Sequence, residues 1–257
     1  MTEKTIDRNN LTTSDYWDRQ WENTKLPSTL DVRKYPWRAF HELLGNILPV
    51  NEQHKVLEIG CAPGKWLLYF HTHFKYMLYG IEYSPVGYRK TVENLTAAGV
   101  SFRVLQEDFF SSSLTEKMDV VFSYGVIEHF DDTARAVRKH LDYLAPEGTL
   151  AVILPNFTGL YGMLQRLADK KILAGHKIVS LCEFRELMNE TGMEEIAGSY
   201  MGIFNLGLIN WSHTPRLFLH LINFINTAVH FAVARLHIKL ETRMFSPYFI
   251  YVGKRKK

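Results

Sequence analysis

Short apolar runs alternate with segments of helical apolar spacing along much of the chain. Runs of strand length are Val56–Ile59, Tyr76–Ile81, Phe102–Gln106, Met118–Tyr124 and Leu150–Leu154. Between them, stretches such as Trp66–Phe74 place apolar residues three or four positions apart, as a helix packed on a sheet requires. Leu150–Leu154 is apolar throughout, which is typical of a central strand covered on both faces. The pattern predicts an α/β fold with a doubly wound, largely parallel sheet.

The first of these runs leads into a turn made of small residues. The stretch VLEIGCAPGKW, Val56–Trp66, carries an acid at Glu58 and turns through Gly60, Ala62 and Gly64 into a helix. Small residues let a ligand approach the backbone, and the first N–H groups of the helix add partial positive charge. We expect an anionic group of a ligand here, although such a turn also occurs in any βα unit of a doubly wound sheet.

Polar side chains follow the next strands at the same edge. Glu82 follows the second run about 20 residues after the glycines, where an acid takes the ribose hydroxyls of a nucleoside ligand. Asp108 and Phe109 follow the third run, and a polar loop ending at His129 follows the fourth. Parallel strands bring their carboxyl ends to one edge, where open α/β sheets bind ligands. The sequence therefore predicts a nucleoside site along that edge.

Taken together, these motifs resemble a class I S-adenosylmethionine-dependent methyltransferase of the small-molecule type, similar to those of ubiquinone and menaquinone biosynthesis. VLEIGCAPG resembles the family's glycine-rich loop, GIEYSP its ribose acid, QEDFF its adenine segment and MDVVFSYGVIEHF its fourth motif. The resemblance is strong over Lys55–Asn156 and weaker over Phe245–Lys254. Its main departure is Ala62, where the family's second glycine usually stands. The family implies a Rossmann-like, seven-stranded sheet whose last strand is antiparallel, with helical cap insertions.

The resemblance assigns the binding of S-adenosyl-L-methionine to residues at the strand ends. The amino-acid end of this cofactor is expected to meet a loop formed by Glu58, Gly60, Cys61, Ala62 and Gly64. Glu82 is expected to accept hydrogen bonds from the ribose hydroxyls, and Tyr83 to pack on the adenine. Asp108 is expected to accept from the adenine amino group. Phe109 would flank the ring with its backbone, and Tyr124 would line the methionine portion.

Methyl transfer from a sulfonium is an in-line displacement that leaves S-adenosyl-L-homocysteine, and the electrophile belongs to the cofactor. The protein must align the two partners and exclude water, so neither a nucleophilic side chain nor a metal is expected. His129 is the candidate base for a hydroxyl nucleophile, with a pKa near neutrality. The alternative is a histidine that only orients its loop. Glu128 is the weaker candidate.

Composition narrows the range of partners and compartments. The chain has 257 residues, 46% hydrophobic and 22% charged, and its net charge of +3 is too small to indicate nucleic acid. The two cysteines, Cys61 and Cys182, form no disulfide framework, so we expect a reducing cytoplasm. Met1–Thr13 is polar and lacks the apolar core of a signal peptide.

We predict a single methyltransferase domain over residues 1–257. Its parts are an N-terminal helical extension (1–50), a cofactor-binding core (55–156), insertions at 157–179 and 201–243, and a closing strand (245–254). In the extension, Trp17 and Trp21 share one helix face, which either packs on the domain or covers the site. The segment 217–240 is largely apolar with a narrow polar arc. It is expected to cap an acceptor pocket, and contact with a second copy or a membrane surface is left open.

The predicted reaction is methyl transfer to an oxygen or nitrogen of a small, partly apolar molecule. A nicotinamide dehydrogenase would need glycine where Lys65 stands. An RNA 2′-O-methyltransferase is the main alternative, but its catalytic Asp after the fourth strand is replaced by Ser123-Tyr124-Gly125. The non-enzymatic alternative is a degenerate cofactor-binding subunit that serves a partner, which the retained Glu82 and Asp108 disfavour.

Overall fold

A computed structural model describes residues 10–203, 205–211, 216–236 and 241–255. Its strands are β1 Lys55–Ile59, β2 Met77–Glu82, β3 Phe102–Gln106, β4 Met118–Tyr124, β5 Leu144–Pro155, β6 Met193–Met201 and β7 Tyr248–Arg255. Its α-helices are α1 Ser14–Glu22, α2 Trp37–Ile47, α3 Lys65–Phe74, α4 Pro85–Ala97, α5 Thr133–Asp142, α6 Leu160–Asp169, α7 Leu181–Glu190 and α8 Arg216–Leu236. Short 3₁₀ turns cover Ile127–His129, Ile172–Gly175 and Leu206–Leu208. The start of the predicted N-terminal extension and the end of the 217–240 segment lie outside the described residues.

The strands form a mixed sheet in the order β3-β2-β1-β4-β5-β7-β6. β1 pairs in parallel with β2 and β4, and β4 with β5, whereas β7 runs antiparallel to both β5 and β6. The predicted seven-stranded, doubly wound sheet with an antiparallel last strand is confirmed. The strand order reverses between β1 and β4, and this is where such sheets open a crevice at the carboxyl edge. Ile59, Glu82 and Tyr124 end their strands at that edge.

Two hydrophobic cores lie on opposite faces of the sheet. On β1, Val56 belongs to the first core and Leu57 to the second, and on β4 Phe122 and Val121 divide in the same way. α2, α3 and α4 contribute to the first core, and α5 and α7 to the second. Burial on both faces explains why these strands are continuous apolar runs rather than alternating ones.

The predicted strands agree with the structure except at their ends and at one omission. Phe102–Gln106 and Met118–Tyr124 have the predicted bounds, and the predicted Tyr76–Ile81 lies one residue later, at Met77–Glu82. Leu150–Leu154 is the centre of the longer β5, whose pairing with β4 jumps from Leu144 to Thr149. No individual strand was predicted at β6, because its central positions are exposed or half-buried and carry no apolar run.

Both long insertions contain helices. α6 lies in 157–179, where the sequence had no clear pattern, and α8 fills much of the described part of 201–243. The Asn226 side chain of α8 accepts a hydrogen bond from the Leu206 N–H at 3.0 Å. Phe218, Phe224 and Phe231 of α8 are 55%, 72% and 72% exposed, so the predicted wide apolar face is uncovered in the described structure. Within the described residues, no helix combines the length and the apolar character needed to cross a membrane.

His140 links α5 to β4 inside the protein. Its Nδ1 donates to the Ala136 carbonyl at 2.8 Å, and its Nε2 accepts from the Ser123 hydroxyl at 3.1 Å. Burial lowers the pKa of His140 to about 4, because the charged imidazolium would lose its hydration. The folded protein therefore holds His140 neutral at pH values where an unfolded chain protonates it.

We expect the stability advantage of the wild type over His140→Gln to shrink as the pH falls from about 7 to about 4. In this window the unfolded chain binds a proton at its ordinary pKa of about 6.5, whereas the folded chain does not, so acid favours unfolding. Across this range, the difference in free energy of unfolding between the wild type and His140→Gln falls by up to about 3 kcal/mol. Chemical denaturation of both proteins across this range measures it. A difference that stays constant with pH would contradict the buried neutral imidazole.

Candidate functional site

The Glu82 carboxylate joins the turns that follow β1 and β2. One oxygen accepts a hydrogen bond from the Ala62 N–H at 3.0 Å, and the other accepts from the Ser84 N–H at 2.9 Å. Burial raises the pKa of Glu82 to about 7, against the opposing effect of these N–H groups. Each oxygen keeps a second lone pair for a ligand. Glu82 is thus both a structural link between the two turns and a candidate acceptor at the cleft.

The turn after β1 approaches its neighbours closely. Gly60 has a φ of 70°, and a Cβ at this position would lie 2.7 Å from the Val126 side chain. Several N–H groups of the turn are bonded within the protein: Gly60 and Cys61 donate to the Ile81 carbonyl, and Gly64 donates to the Cys61 carbonyl. This corrects the expectation that the N–H groups of the turn stand open to a ligand. The shape of the turn, rather than a set of free donors, defines this wall of the site.

Glu58 is buried on β1, 1% exposed, beside this turn. Neither of its carboxylate oxygens has a hydrogen-bond partner of good geometry among the described residues. Burial raises the pKa of Glu58 well above its ordinary value, opposed chiefly by the nearby Lys65 ammonium. A buried carboxyl group without a well-formed hydrogen bond is costly, so a positively charged ligand group at this point would add to the stabilisation by Lys65.

A cleft of about 660 Å³, including its open mouth, lies at the carboxyl edge of the sheet. Of the residues predicted from the sequence, those that line it are Gly60, Glu82, Tyr83, Asp108, Phe109, Tyr124 and His129. The other predicted residues, which do not line it, are Glu58, Cys61, Ala62, Gly64 and Glu128. Cys61 is fully buried in the first core. The structure therefore brings the predicted ribose, adenine and acceptor residues around one space, while their individual roles stay predictions.

The N-terminal helix α1 covers this cleft. Trp17 and Trp21 line it, and their rings stack with centroids 6.4 Å apart. The helix is fastened by Asp18, whose carboxylate accepts from the Ser84 hydroxyl and from the Val86 N–H. The two functions left open by the sequence, packing and covering, are thus combined, since α1 packs against α4 and closes part of the cleft.

His129 stands between the cleft and the insertion at 157–179. Its Nδ1 donates to the Gly175 carbonyl at 2.7 Å, and its ring meets the edge of Trp17 with centroids 4.8 Å apart. Burial and, to a smaller extent, the nearby His176 together lower the pKa of His129 to about 3. The expected near-neutral pKa is therefore wrong, because the imidazole is almost fully enclosed. Its role in catalysis stays a prediction.

Glu128 and His176 complete a cluster with His129 that the sequence did not indicate. One potential ligand atom from each of the three lies within 4.8 Å of the others. Burial raises the pKa of Glu128 to about 8, so the isolated protein holds it largely protonated at neutral pH. His176 belongs to the insertion 157–179, whose sequence has no clear pattern. Its place in the site is evident only from its contact with His129 in the structure.

The predicted cap is only partly described. β6 ends at Met201 and β7 begins at Tyr248, so the insertion leaves and rejoins the sheet at its carboxyl edge. No residue from the described part of α8 lines the cleft. Whether this segment covers an acceptor stays a prediction.

A family model for a methyltransferase domain matches residues 31–197, which is more than half of the chain. The chain belongs to this methyltransferase family. The family uses S-adenosylmethionine, so the enzyme class and the cofactor predicted from the motifs are confirmed. The matched region contains β1 to β5 and the strand-end residues that line the cleft, but not α1, which covers it.

A curated relative is the 27-O-demethylrifamycin SV methyltransferase of Amycolatopsis mediterranei (strain S699). It is 27% identical over 188 residues, which make up 70% of this chain and 65% of that protein. The match therefore spans less than two thirds of the relative's length.

Solved structures share the fold at low sequence identity. The geranyl diphosphate C-methyltransferase of Streptomyces coelicolor A3(2), in complex with Mg²⁺, geranyl diphosphate and S-adenosyl-L-homocysteine, has a TM-score of 0.62 and 13% identity. The alignment covers 95% of this chain and 98% of that one. The [4+2]-cyclase SpnF has a TM-score of 0.64 and 14% identity, covering 96% of each chain. A cyclase with this architecture shows that the fold alone does not determine the reaction.

The residues of the site fit the cofactor of the family. The buried Glu58 carboxyl, which has no hydrogen bond of good geometry among the described residues, suits a cationic amino-acid end, and the Glu82 oxygens keep lone pairs for hydroxyl donors. Gly60 allows the turn to pack closely against Val126, which a larger residue would prevent. Tyr83 and Phe109, the residues predicted to flank the adenine, both belong to the lining of the cleft.

We expect Asp18→Ala to accelerate the dissociation of S-adenosylhomocysteine about tenfold, because two hydrogen bonds to a charged group hold α1 over the cleft. Stopped-flow fluorescence of Trp17 and Trp21 measures this rate. Asp15→Ala is the matched control, since Asp15 is exposed on the same helix. Equal dissociation rates in both variants would mean that α1 does not close the site.

Proposed function

We propose that this methyltransferase transfers the methyl group of S-adenosylmethionine to an oxygen or nitrogen of a small, partly apolar molecule. The observation that supports this most strongly is the single cleft in which the predicted ribose and adenine residues share one space with His129. The curated relative carries the name of a small-molecule methyltransferase, which agrees with the proposal.

The cofactor supplies an electrophilic methyl group on a sulfonium. The protein holds the cofactor and aligns its methyl group with the acceptor. Glu82 and Asp108 accept hydrogen bonds from the nucleoside, and Glu58 neutralises a cationic amino-acid end beneath the turn. Tyr124 and Gly125 line the wall between these residues and His129. A displacement at carbon requires the acceptor atom, the methyl carbon and the sulfur to lie in one line, and these walls would hold them so.

The acceptor end of the cleft is lined mainly by aromatic side chains. Trp17 of α1, Phe130 and His129 line this part together. Apolar walls with few polar groups favour an aromatic or otherwise partly apolar acceptor. The described residues that line the cleft include neither lysine nor arginine, which disfavours an RNA acceptor.

We further propose that the apolar face of α8 is covered in the working enzyme by the acceptor, a second copy or a membrane surface. The support is the exposure of Phe218, Phe224 and Phe231 on one helix of the described chain. The molecular mass in solution and co-sedimentation with lipid vesicles separate these occupants. A dimer doubles the measured mass, whereas a protein that binds a membrane surface sediments with the vesicles.

Incubation with methyl-labelled S-adenosylmethionine and extracted small-molecule pools tests the reaction itself. The expected result is a labelled small product together with stoichiometric S-adenosylhomocysteine. Binding of the cofactor without turnover in any pool would favour the degenerate-subunit alternative. Label in RNA alone would favour the RNA alternative.

We expect Glu82→Ala to weaken S-adenosylhomocysteine binding about tenfold or more, because it removes the ribose acceptor and the link between the two turns. Calorimetry measures the affinity. Glu93→Ala, an exposed acid on α4, is the control and should bind as the wild type does. An unchanged affinity in Glu82→Ala would remove Glu82 from the site.

We expect His129→Gln to lower kcat more than about tenfold while the dissociation constant of S-adenosylhomocysteine changes less than about twofold. The reason is its place at the acceptor end, away from the nucleoside residues. Turnover with the identified acceptor and calorimetry with the cofactor product measure the two effects. His73→Gln on α3 serves as the control. A loss of cofactor affinity equal to the loss of rate would contradict this placement.

A further inference from the structure

Glu128, His129 and His176 meet beside the acceptor end of the cleft, which His129 alone of the three lines, in an arrangement that methyl transfer alone does not require. One oxygen or nitrogen ligand atom from each lies within 4.8 Å of the other two. Glu128 and His129 follow β4, and His176 comes from the loop after α6. The chain thus brings two imidazoles and a carboxyl group together from separate segments.

The hydrogen bonds of both histidines fix which ring nitrogen is available. Nδ1 of His129 lies 2.7 Å from the Gly175 carbonyl, and Nδ1 of His176 lies 2.8 Å from the Ile172 carbonyl. A carbonyl only accepts, so each Nδ1 carries the proton and each Nε2 presents a lone pair. Histidines that bind metals are oriented in this way by backbone carbonyls.

The carboxyl group of Glu128 is aimed into the same space. Its Oε1 lies 3.9 Å from Nε2 of His129, beyond hydrogen-bonding distance. Its Oε2 is buried and has no hydrogen-bond partner among the described residues. Glu128 is only 3% exposed, so water offers little compensation. A buried oxygen of this kind is costly unless a ligand satisfies it.

The surroundings hold the cluster in place. The backbone N–H of Lys177 donates to the Glu128 carbonyl at 2.5 Å, which ties the loop after α6 to the motif after β4. The Lys177 ammonium also pairs with Asp131 at 2.9 Å. The ring edges of Trp17 and Phe157 pack against His129 and His176. The donors are therefore positioned before any ligand binds.

We propose that Glu128, His129 and His176 bind one divalent first-row transition-metal ion. Two imidazoles and one carboxylate suit Zn²⁺, Fe²⁺, Co²⁺ or Ni²⁺, whereas Mg²⁺ and Ca²⁺ prefer sites made of oxygen alone. Ligand distances of about 2.1 Å would draw the three side chains together by about 1 Å. Three protein ligands leave coordination positions open, and His129 lines the cleft, so an open position faces the acceptor.

The ligand for the open position is an acceptor hydroxyl, and this part rests on the proposed function. Coordination lowers the pKa of a bound hydroxyl, so its proton passes to water without a strong base. A lone pair of the acceptor oxygen then forms the bond to the methyl carbon, and the carbon–sulfur bond breaks with its electrons going to sulfur. Because Nε2 of His129 is then bound to the metal, His129 cannot act as the base. The metal ion activates the acceptor hydroxyl instead.

Titration of the tag-free, chelator-treated full-length protein with Co²⁺ tests the site directly. We expect one equivalent to bind, with heat in calorimetry and a visible Co²⁺ absorption band, while Mg²⁺ produces no comparable binding. Glu128→Gln and His176→Gln should each weaken Co²⁺ binding more than about tenfold. His73→Gln, whose imidazole lies on α3 outside the cluster, should bind Co²⁺ as the wild type does.

Affinity for S-adenosylhomocysteine, measured on each variant, shows that the fold and the cofactor site survive the substitutions. Absence of Co²⁺ binding to the wild type, or equal affinity in His176→Gln, overturns the metal site. Methyl transfer that is unaffected by the chelator, with no Co²⁺ bound, overturns the metal site and leaves the proposed function standing. One-to-one Co²⁺ binding without methyl transfer to any acceptor supports the metal site and overturns the proposed function.

Discussion

The carboxylate of Glu82 holds together the two turns on which the site depends. It sits at the end of β2 and accepts N–H groups from Ala62 and Ser84, so the turn after β1 cannot move independently of the turn before α4. Ser84 in turn donates to Asp18, which fastens the covering helix α1. One buried acid therefore connects the sheet edge, the glycine-containing turn and the cover. The energetic cost of its burial is offset by these N–H groups.

Two buried acidic side chains, Glu58 and Glu128, lie next to residues that line the cleft. Among the described residues, the buried Glu58 carboxyl finds no hydrogen bond of good geometry, and one buried oxygen of Glu128 has no hydrogen-bond partner. In a structure whose cores are otherwise closely packed and apolar, such groups mark places where a bound molecule completes the bonding. The two lie in different parts of the site, Glu58 beneath the turn after β1 and Glu128 after β4. This division matches a cofactor at one end and an acceptor at the other.

Local patterns predicted the sheet well, because parallel strands buried on both faces leave long apolar runs. Met118–Tyr124 was predicted at its observed bounds for this reason, whereas Phe102–Gln106, at the edge of the sheet and only partly buried, was recognised from the acid and aromatic residues that follow it. β6 was missed because it is largely exposed, and its pairing with β7 depends on residues about 50 positions away. The acids at the strand ends were predictable from spacing. The burial of His129 and its contact with His176 were not, since both arise from a loop that no local pattern places.

The most direct test compares S-adenosylhomocysteine with 5′-methylthioadenosine, which lacks the amino-acid end, by calorimetry on the wild type and Glu58→Gln. If the buried carboxyl of Glu58 awaits a cationic group, the wild type prefers S-adenosylhomocysteine by about tenfold or more, and Glu58→Gln loses most of that preference. The same preference in both proteins would show that Glu58 does not meet the ligand, and would contradict a site organised around the buried acids of β1 and β2.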